Sequence, residues 1–471
     1  MAMNKKGKTA IVIMAAGQGK RMKSKRAKVL HPLAGRPMIE YVVGLAKKMK
    51  PDRIVLVVGH QAEEVSALFP GRDVRIAEQK KQMGTAHAVM QAENLLKGFS
   101  GNVIILSGDI PLLRQETLKQ LQREHIRTKA AVTLLTAGVP NPSGYGRIVR
   151  MEDDSVEKIV EERDASPREK RIDEINSGIY CFQSDFLFKA LKSIGRKNAQ
   201  KEFYLTDTIE AAKKKGLPVH AIFMDDHTEV MGINTRVELS DAEWILRAEI
   251  LEKLMLKGVT IIDPASTYID STVSIGRDTV IYPNTEIYGA TKIGKDCTIM
   301  SHSVIQDSKV GNSVLIKGFV FIADSIIGNR AQIGPFSHFR PQTVLGDEVK
   351  VGNFVEVKKS VIGTGSKAPH LTYIGDSTVG KKVNIGAGTI TCNYDGRHKH
   401  KTVINDGVFI GSDTQIVAPV KIGKGALIAA GTTVTEDIPP YALTLSRVPQ
   451  VNKEEWVLRR MEEEKKKKEK K

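Results

Sequence analysis

Between residues 275 and 423 an aliphatic side chain is followed directly by glycine over and over, and the spacing of these pairs limits the fold more than any other feature. They fall at Ile275-Gly276, Ile293-Gly294, Val310-Gly311, Ile327-Gly328, Ile333-Gly334, Val351-Gly352, Ile362-Gly363, Ile385-Gly386, Ile410-Gly411 and Ile422-Gly423. Many intervals are six residues, a multiple of six, or within one of these. A hexapeptide period predicts a β-helix, in which each short strand forms one wall of a coil, the aliphatic residue points inward and glycine eases the corner. The longest break lies between Ile385-Gly386 and Ile410-Gly411 and holds TITCNYDGRHKHKTVINDG. A loop of that length leaving a regular solenoid is expected to carry function.

The first half follows another rule. From Thr9 to about Asn234, the β-branched runs TAIVIM, RIVLVV, NVIILS, AAVTLL and NSGIYCF alternate with helical stretches such as MIEYVVGLAKKM. That alternation predicts a mostly parallel sheet with helices on both faces, binding ligands at the carboxyl ends of its strands. ELSDAEWILRAEILEKLMLK places apolar residues at helical spacing and Gly258 stops the run, which predicts a linker helix over 235–258. A chain of 471 residues has room for two cores. No apolar run is long enough to span a bilayer, and the basic opening MAMNKKGKTAIVIM runs into a glycine loop rather than a cleavage site, so it reads as a first strand. Cys181, Cys297 and Cys392 stand far apart with no C-x-x-C pair, which argues against a disulfide framework or zinc ribbon and fits a reducing cytoplasmic setting. The net charge of +17 raises nucleic acid as a partner, yet the excess is scattered, and the tail KEEWVLRRMEEEKKKKEKK mixes both signs as a solvated helix does. Anionic small substrates suit such a surface, and neither nucleic acid nor a membrane is the expected partner.

The loop Met14 to Met22, MAAGQGKRM, follows the first strand directly. Its glycines admit phosphate oxygens to backbone N–H groups, and the N-terminus of a following helix is expected to add positive potential. It lacks the third glycine of the dinucleotide fingerprint and the Gly-Lys-Ser/Thr ending of a P-loop. Together with Arg21 and Lys28 it resembles the G-x-G-x-R-(x)n-K signature of sugar-1-phosphate nucleotidyltransferases. Further matches follow in order: Gln79 with Gly84-Thr85 in EQKKQMGTAHA, Asp109 in ILSGDIPLL, Gly146 in SGYGRI, Glu161 in IVEERDA, Asn176 in EINSGIY and Asn234 in MGINTR. Over nearly its entire length the chain is similar to the bacterial bifunctional N-acetylglucosamine-1-phosphate uridyltransferases/glucosamine-1-phosphate acetyltransferases.

The resemblance implies an α/β Rossmann-like nucleotidyltransferase domain over 1–234, the linker helix over 235–258, a left-handed parallel β-helix acetyltransferase domain over 259–447, a charged tail over 448–471, and a cytoplasmic homotrimer. It implies acetyl transfer from acetyl-CoA to glucosamine-1-phosphate, then uridylyl transfer from UTP to N-acetylglucosamine-1-phosphate with release of pyrophosphate, for cell-wall synthesis. Nucleotidyl transfer needs an anionic sugar phosphate to attack the α-phosphate of UTP in line, so charge neutralisation matters more than a protein nucleophile. By the resemblance, Arg21 and Lys28 stabilise the phosphates, and Asp109 and Asn234 hold Mg²⁺ in an oxygen-only site. Met14, Ala15, Ala16, Gly17, Ser107 and Gly108 belong to the substrate site, Gln79, Gly84 and Thr85 contact uracil, and Gly146, Glu161, Asn176, Tyr204 and Thr206 take the sugar. His87 reads as structural.

For the second reaction, GNFVEVKKSVIGTGSKAPHLTYIGD carries Lys358, His370 and Tyr373. A histidine near neutral pKa suits taking the proton from an amine that attacks a thioester, so His370 is the expected base. The resemblance gives Arg340 and Lys358 to the sugar phosphate, Tyr373 and Asn384 to the sugar, and Ala387, Asn393, Tyr394, Ser412, Ala430 and Arg447 to acetyl-CoA or the sugar. A backbone N–H near Ala387 would stabilise the oxyanion. Three positions depart from the family: Lys20 replaces threonine, Ala27 replaces proline before Lys28, and Pro369 replaces glycine before His370. The cluster Arg397, His398, Lys399, His400, Lys401 reads as a solvated basic loop, with a metal, a neighbouring subunit or coenzyme phosphates as its functional options. Two alternatives stand beside this reading: a related enzyme with another sugar or nucleotide preference, and a ligand-sensing scaffold of the same architecture without turnover.

Overall fold

The computed structural model describes residues 7–446 and 448–469. They divide into two compact units with the sequence boundary between Ile250 and Leu251, inside the helix Arg236–Met255.

In the first unit, Thr9–Ala15, Arg53–Val58, Asn102–Ser107 and Val132–Gly138 are strands, and nearly all of their residues are buried. Runs this uniformly apolar belong to a sheet covered on both faces. The sheet order is Val219–Met224, Val132–Gly138, Glu174–Gln183, Asn102–Ser107, Thr9–Ala15, Arg53–Val58, Arg75–Glu78. Neighbours along it are parallel except Glu174–Gln183, which runs antiparallel to both of its neighbours. Alternate side chains of each strand enter opposite cores: Val12, Val55 and Ile105 pack on one face, and Ile11, Ile13, Leu56 and Ile104 pack on the other with Ile39, Val42 and Val43 of the helix Met38–Lys48. The chain leaves Thr9–Ala15 for a neighbour on one side, Arg53–Val58, and later returns to the other side with Asn102–Ser107. The crevice between two such diverging connections is where open α/β sheets bind ligands.

The second unit is a left-handed parallel β-helix with three walls. One wall stacks Ile275, Ile293, Val310, Ile327, Leu345, Ile362, Val379, Ile404 and Ile422 in register, each one coil above the last. All nine are buried. Glycine after the aliphatic residue is needed because successive coils touch at that corner: a Cβ on Gly276 would lie 2.7 Å from the carbonyl oxygen of Gly294. Asparagine or aspartate just past the corner ties one coil to the next, as when Asn312 Oδ1 accepts from the Lys295 N–H at 3.0 Å and Asn329 Oδ1 from the Asn312 N–H at 2.9 Å. Two coils differ from the rest: Lys350–Lys358 and Lys367–Gly375 are continuous nine-residue strands that turn from one wall into the next.

The long break is shorter than the repeat pattern suggests. Ile390–Cys392 and Thr402–Ile404 are coil strands that stack on Gln415–Val417 and Ser377–Val379, so only the nine residues between them leave the solenoid. The first of those strands lacks the Ile-Gly mark because buried Thr391 takes the inward place, and the second because inward Ile404 is followed by Asn405 rather than glycine. The helix Trp456–Glu469 is exposed along residues 456–468. Among the described residues, no helix is long and apolar enough to cross a membrane.

Candidate functional site

A cleft of about 1170 Å³ opens at the carboxyl ends of the sheet of the first unit, and a second cavity of about 340 Å³ adjoins it. Lys28, Gln79, Gln82 and Glu202 line both, so the two are one continuous site. The glycine loop forms its rim: Met14, Ala15, Ala16 and Gly17 line the smaller cavity, and Gln18, Gly19, Lys20 and Arg21 the larger. The expected helix after this loop is a single 3-10 turn, Lys20–Met22. One turn carries little macrodipole, so the positive potential comes from the side chains of Lys20, Arg21 and Lys28 rather than from a helix terminus.

Lys28 is placed by a second 3-10 turn, Lys28–Leu30. Its ammonium forms an ion pair with Asp109 and lies 3.0 Å from Asn234 Oδ1. Asp109 follows Ser107 and Gly108 at the end of the strand, where the Gly108 N–H donates to the Met14 carbonyl at 2.8 Å and the Asp109 carbonyl accepts from the Ile233 N–H at 2.9 Å. Three distant segments are thereby fixed around one point. Burial alone would push the Asp109 carboxyl up, but Lys28 and the Ser107 hydroxyl outweigh it and hold the group below the ordinary carboxylate range. Two oxygens that converge on one ammonium form a donor set that suits a small hard cation.

The residues expected to take the nucleobase and the sugar lie around this point. Gln79 is buried and lines both cavities; Gly84 and Thr85 border the smaller one. Gly84 is required, because its φ is +105° and a Cβ would meet the Phe203 carbonyl oxygen at 2.4 Å. The Gly146 carbonyl accepts from the Asn176 N–H at 2.8 Å, and a Cβ on Gly146 would lie 3.6 Å from Glu161 Oε2. The Thr206 hydroxyl donates to Glu161 Oε1 at 3.1 Å. Burial, opposed by Thr206 and reinforced by Asp207, Asp164 and Glu202, raises the Glu161 carboxyl above its usual range. Tyr204 stands behind this group: its hydroxyl donates to Asp164 at 3.1 Å and accepts from Gln200 at 2.9 Å. The two loops are sewn together, since Phe203 pairs through its backbone with Met83 and Ala86 and the Leu205 N–H donates to the Thr85 hydroxyl at 3.0 Å.

Two departures from the family acquire a structural meaning. Ala27 keeps φ at −55°, the value proline would impose. Unlike proline it has an N–H, which donates to Gln61 Oε1. Lys20 faces the cleft and adds a cation to its wall. The motif reading passed over Gln82, whose amide donates to the Ala16 carbonyl at 2.6 Å, and Tyr145, whose hydroxyl is raised chiefly by burial and lies within the fields of Asp109 and Arg21. Gln82 was findable as a polar residue in a glycine loop; Tyr145 carried no such signal.

In the β-helix, His370 lies on the strand Lys367–Gly375 directly over Asn353 of Lys350–Lys358. Its Nδ1 is 3.0 Å from Asn353 Oδ1. Since that oxygen only accepts, Nδ1 carries a hydrogen, and in the neutral ring Nε2 is left with the lone pair. Pro369 brings its carbonyl oxygen so close to Gly352 that a Cβ there would sit 1.7 Å from it. Tyr373 pairs with Glu356, and Glu356 holds Arg340 at 3.0 Å. Lys358 is pressed below the usual lysine range, first by Lys399, with further contributions from burial and Arg340. Like charges held side by side form a site for an anion. Lys399 thus joins Lys358 from the basic loop, which is a folded hairpin: Tyr394 bridges to Lys399, Asp395 accepts from the N–H groups of Arg397 and His398, and His400 pairs with Asp395 at 2.7 Å. Among the described residues, no group of three His, Cys, Asp or Glu side chains comes together to hold a metal ion.

Asn384 stacks between Lys367 and Phe409. Asn393 donates to Asp376, and Tyr394 is exposed with its hydroxyl on the Gly396 carbonyl. Ala387, Ser412 and Ala430 occupy the same corner of three successive coils, linked by Asp413 N–H to the Ala387 carbonyl at 2.7 Å and Gly431 N–H to the Ser412 carbonyl at 2.9 Å. Arg447 lies outside the described residues.

Residues 10–244 match the nucleotidyl transferase family model, residues 256–362 the GMPPB C-terminal domain, and residues 401–436 the bacterial transferase hexapeptide repeats. The chain is 53% identical over 452 residues to the bifunctional protein GlmU of Geotalea uraniireducens, covering 96% of this chain and 99% of that protein. It is 51% identical over 472 residues to the protein of the same name from Geobacter sulfurreducens, covering 96% and 99%, and 52% identical over 446 residues to that of a Geobacillus species, covering 95% and 97%.

Proposed function

Because the chain belongs to the bifunctional GlmU family, it is a uridyltransferase and an acetyltransferase of UDP-N-acetylglucosamine synthesis, and we propose how its own residues perform the two reactions. The observation that carries the proposal is the convergence of Lys28, Asp109 and Asn234 on one point of a cleft at the strand ends.

In uridylyl transfer a phosphate oxygen of N-acetylglucosamine-1-phosphate attacks the α-phosphorus of UTP, and the bond to the β-phosphate oxygen breaks to release pyrophosphate. Arg21 and Lys28 neutralise the phosphates as charge moves onto the leaving group. Asp109 and Asn234 would hold Mg²⁺, which when bound adds charge neutralisation that lysine and arginine alone supply less of. Gln79, Gly84 and Thr85 border the uracil, while Gly146, Glu161, Asn176 and Thr206 meet the sugar. The backbone stitch through Phe203 keeps the two loops at a constant distance.

In acetyl transfer the amine of glucosamine-1-phosphate attacks the thioester carbonyl of acetyl-CoA. His370 Nε2 takes the amine proton as the C–N bond forms, and the C–S bond breaks with that proton returned to the departing thiolate. Arg340, Lys358 and Lys399 receive the sugar phosphate, Tyr373 and Asn384 the sugar, and the corner of Ala387, Ser412 and Ala430 the coenzyme. His370 and Tyr394 are exposed in the single chain, which supports a trimer in which a neighbouring coil covers them. The test assays both half-reactions in folded Asp109→Ala and His370→Ala proteins. Each variant loses one activity and keeps the other; loss of both in His370→Ala refutes the assignment.

A further inference from the structure

His87 has no part in the chemistry above, yet both of its ring nitrogens face glutamine amides. Gln79 Nε2 lies 2.9 Å from Nδ1, and Gln91 Nε2 lies 3.2 Å from Nε2. The ring is held by stacking on Phe203, with centroids 6.3 Å apart. Burial lowers its pKa, so the ring is neutral at pH 7. A neutral imidazole has a single lone-pair nitrogen. Each glutamine amide also donates to a backbone carbonyl and keeps one hydrogen for the ring, and of the two ring contacts the one from Gln79 is the shorter, 2.9 against 3.2 Å, so it takes the lone pair, on Nδ1. The same Gln79 nitrogen donates to the Gly84 carbonyl at 3.1 Å. A primary amide has two hydrogens, and both are now used inside the protein. Gln79 therefore meets a ligand only through its carbonyl oxygen.

We propose that His87 sets the choice of nucleobase by locking Gln79 as a pure acceptor. A uracil-type base offers a ring N–H at the edge where a cytosine-type base offers a bare ring nitrogen, so an acceptor receives the first and leaves the second unpaired. Such donor–acceptor mismatch discriminates far more strongly than size does. The inference rests on the reading that Gln79 borders the base.

The test measures kcat/KM for UTP and CTP in the full chain. His87→Phe keeps a ring on Phe203 but removes the acceptor, so the Gln79 amide turns over and the UTP:CTP ratio falls by about tenfold or more, the worth of one hydrogen bond. CTP use rises in absolute terms. His87→Asn returns an acceptor near the place of Nδ1 and restores the ratio to within about threefold. His87→Leu replaces the Phe variant if that one does not fold. An unchanged ratio in an active His87→Phe or His87→Leu protein overturns the proposal. Gln79→Ala separates the two failures: if it collapses the ratio while loss of the His87 ring does not, only the role of His87 falls; if it too leaves the ratio unchanged, the base-pocket reading falls with it.

Discussion

Gly352→Ala tests whether the spacing of two strands sets the acetyl-transfer site. The added Cβ would sit 1.7 Å from the Pro369 carbonyl oxygen, where ordinary contacts begin at 3.4 Å. The strands must part by more than 1 Å at that point, and His370 is the next residue along the chain. A displacement of about 1 Å at a reacting group costs on the order of 10²-fold in rate. The same overpacking lowers stability by about 1–3 kcal/mol. Acetyl transfer, followed as free coenzyme A release, is expected to drop about 100-fold in kcat, while pyrophosphate release in the uridylyl assay stays within about twofold. Gly276→Ala is the control: its Cβ collides with Gly294 and Lys295, far along the solenoid from His370. It destabilises the β-helix but leaves the acetyl-transfer rate of folded protein unchanged. Full acetyl-transfer activity in folded Gly352→Ala would refute the link between strand spacing and the placement of His370.

Three further outcomes are expected. Asn353→Ala frees the His370 tautomer, so acetyl-transfer kcat falls by about tenfold and its pH profile shifts while KM for acetyl-CoA holds; a profile superimposable on the parent would remove Asn353 from the site. Burial, with Glu210 and Asp164 nearby, raises Asp207 to about 6. A folded pKa above the unfolded value means stability is fully present below about 3.8 and is lost as pH rises through about 6, so Asp207→Asn unfolds at higher temperature than the parent above pH 6 and no differently near pH 4. Buried Glu229 accepts from the Arg114 N–H at 3.0 Å and the Thr117 hydroxyl at 2.6 Å. Glu229→Leu leaves both donors unpaired, at a cost of about 2–4 kcal/mol in chemical denaturation of the first unit; an unaltered midpoint would contradict this.

How far the sequence carried the structure depends on range. The Ile-Gly pairs revealed the solenoid because each coil repeats a local rule, and TAIVIM or NVIILS revealed the central sheet because buried strands are continuously apolar. The strand Val219–Met224 escaped notice because only Ile222 and Met224 of its six residues are buried, and Arg75–Glu78 because only Ala77 of its four residues is buried. The antiparallel run of Glu174–Gln183 depends on the path of the connection before it, which no local pattern encodes. Family motifs named Lys28, Asp109 and Asn234 individually; their meeting is a tertiary fact. Asn353 under His370 did have a signal, since the two are one coil apart, but that spacing has meaning only once the walls are known.

A three-walled coil also has a phase, as a reading frame does. Removing one whole coil would leave every downstream side chain facing the wall it faced before. Removing a single hexapeptide would turn the remainder by a third of a revolution, carrying residues meant for one wall onto the next. The nine-residue excursion before Thr402 is free of this constraint because the strands on either side of it keep their stacking partners. Length can therefore vary at that hairpin by any number of residues, whereas elsewhere in the solenoid the coils differ by no more than one residue and a lone hexapeptide cannot be gained or lost without shifting everything after it.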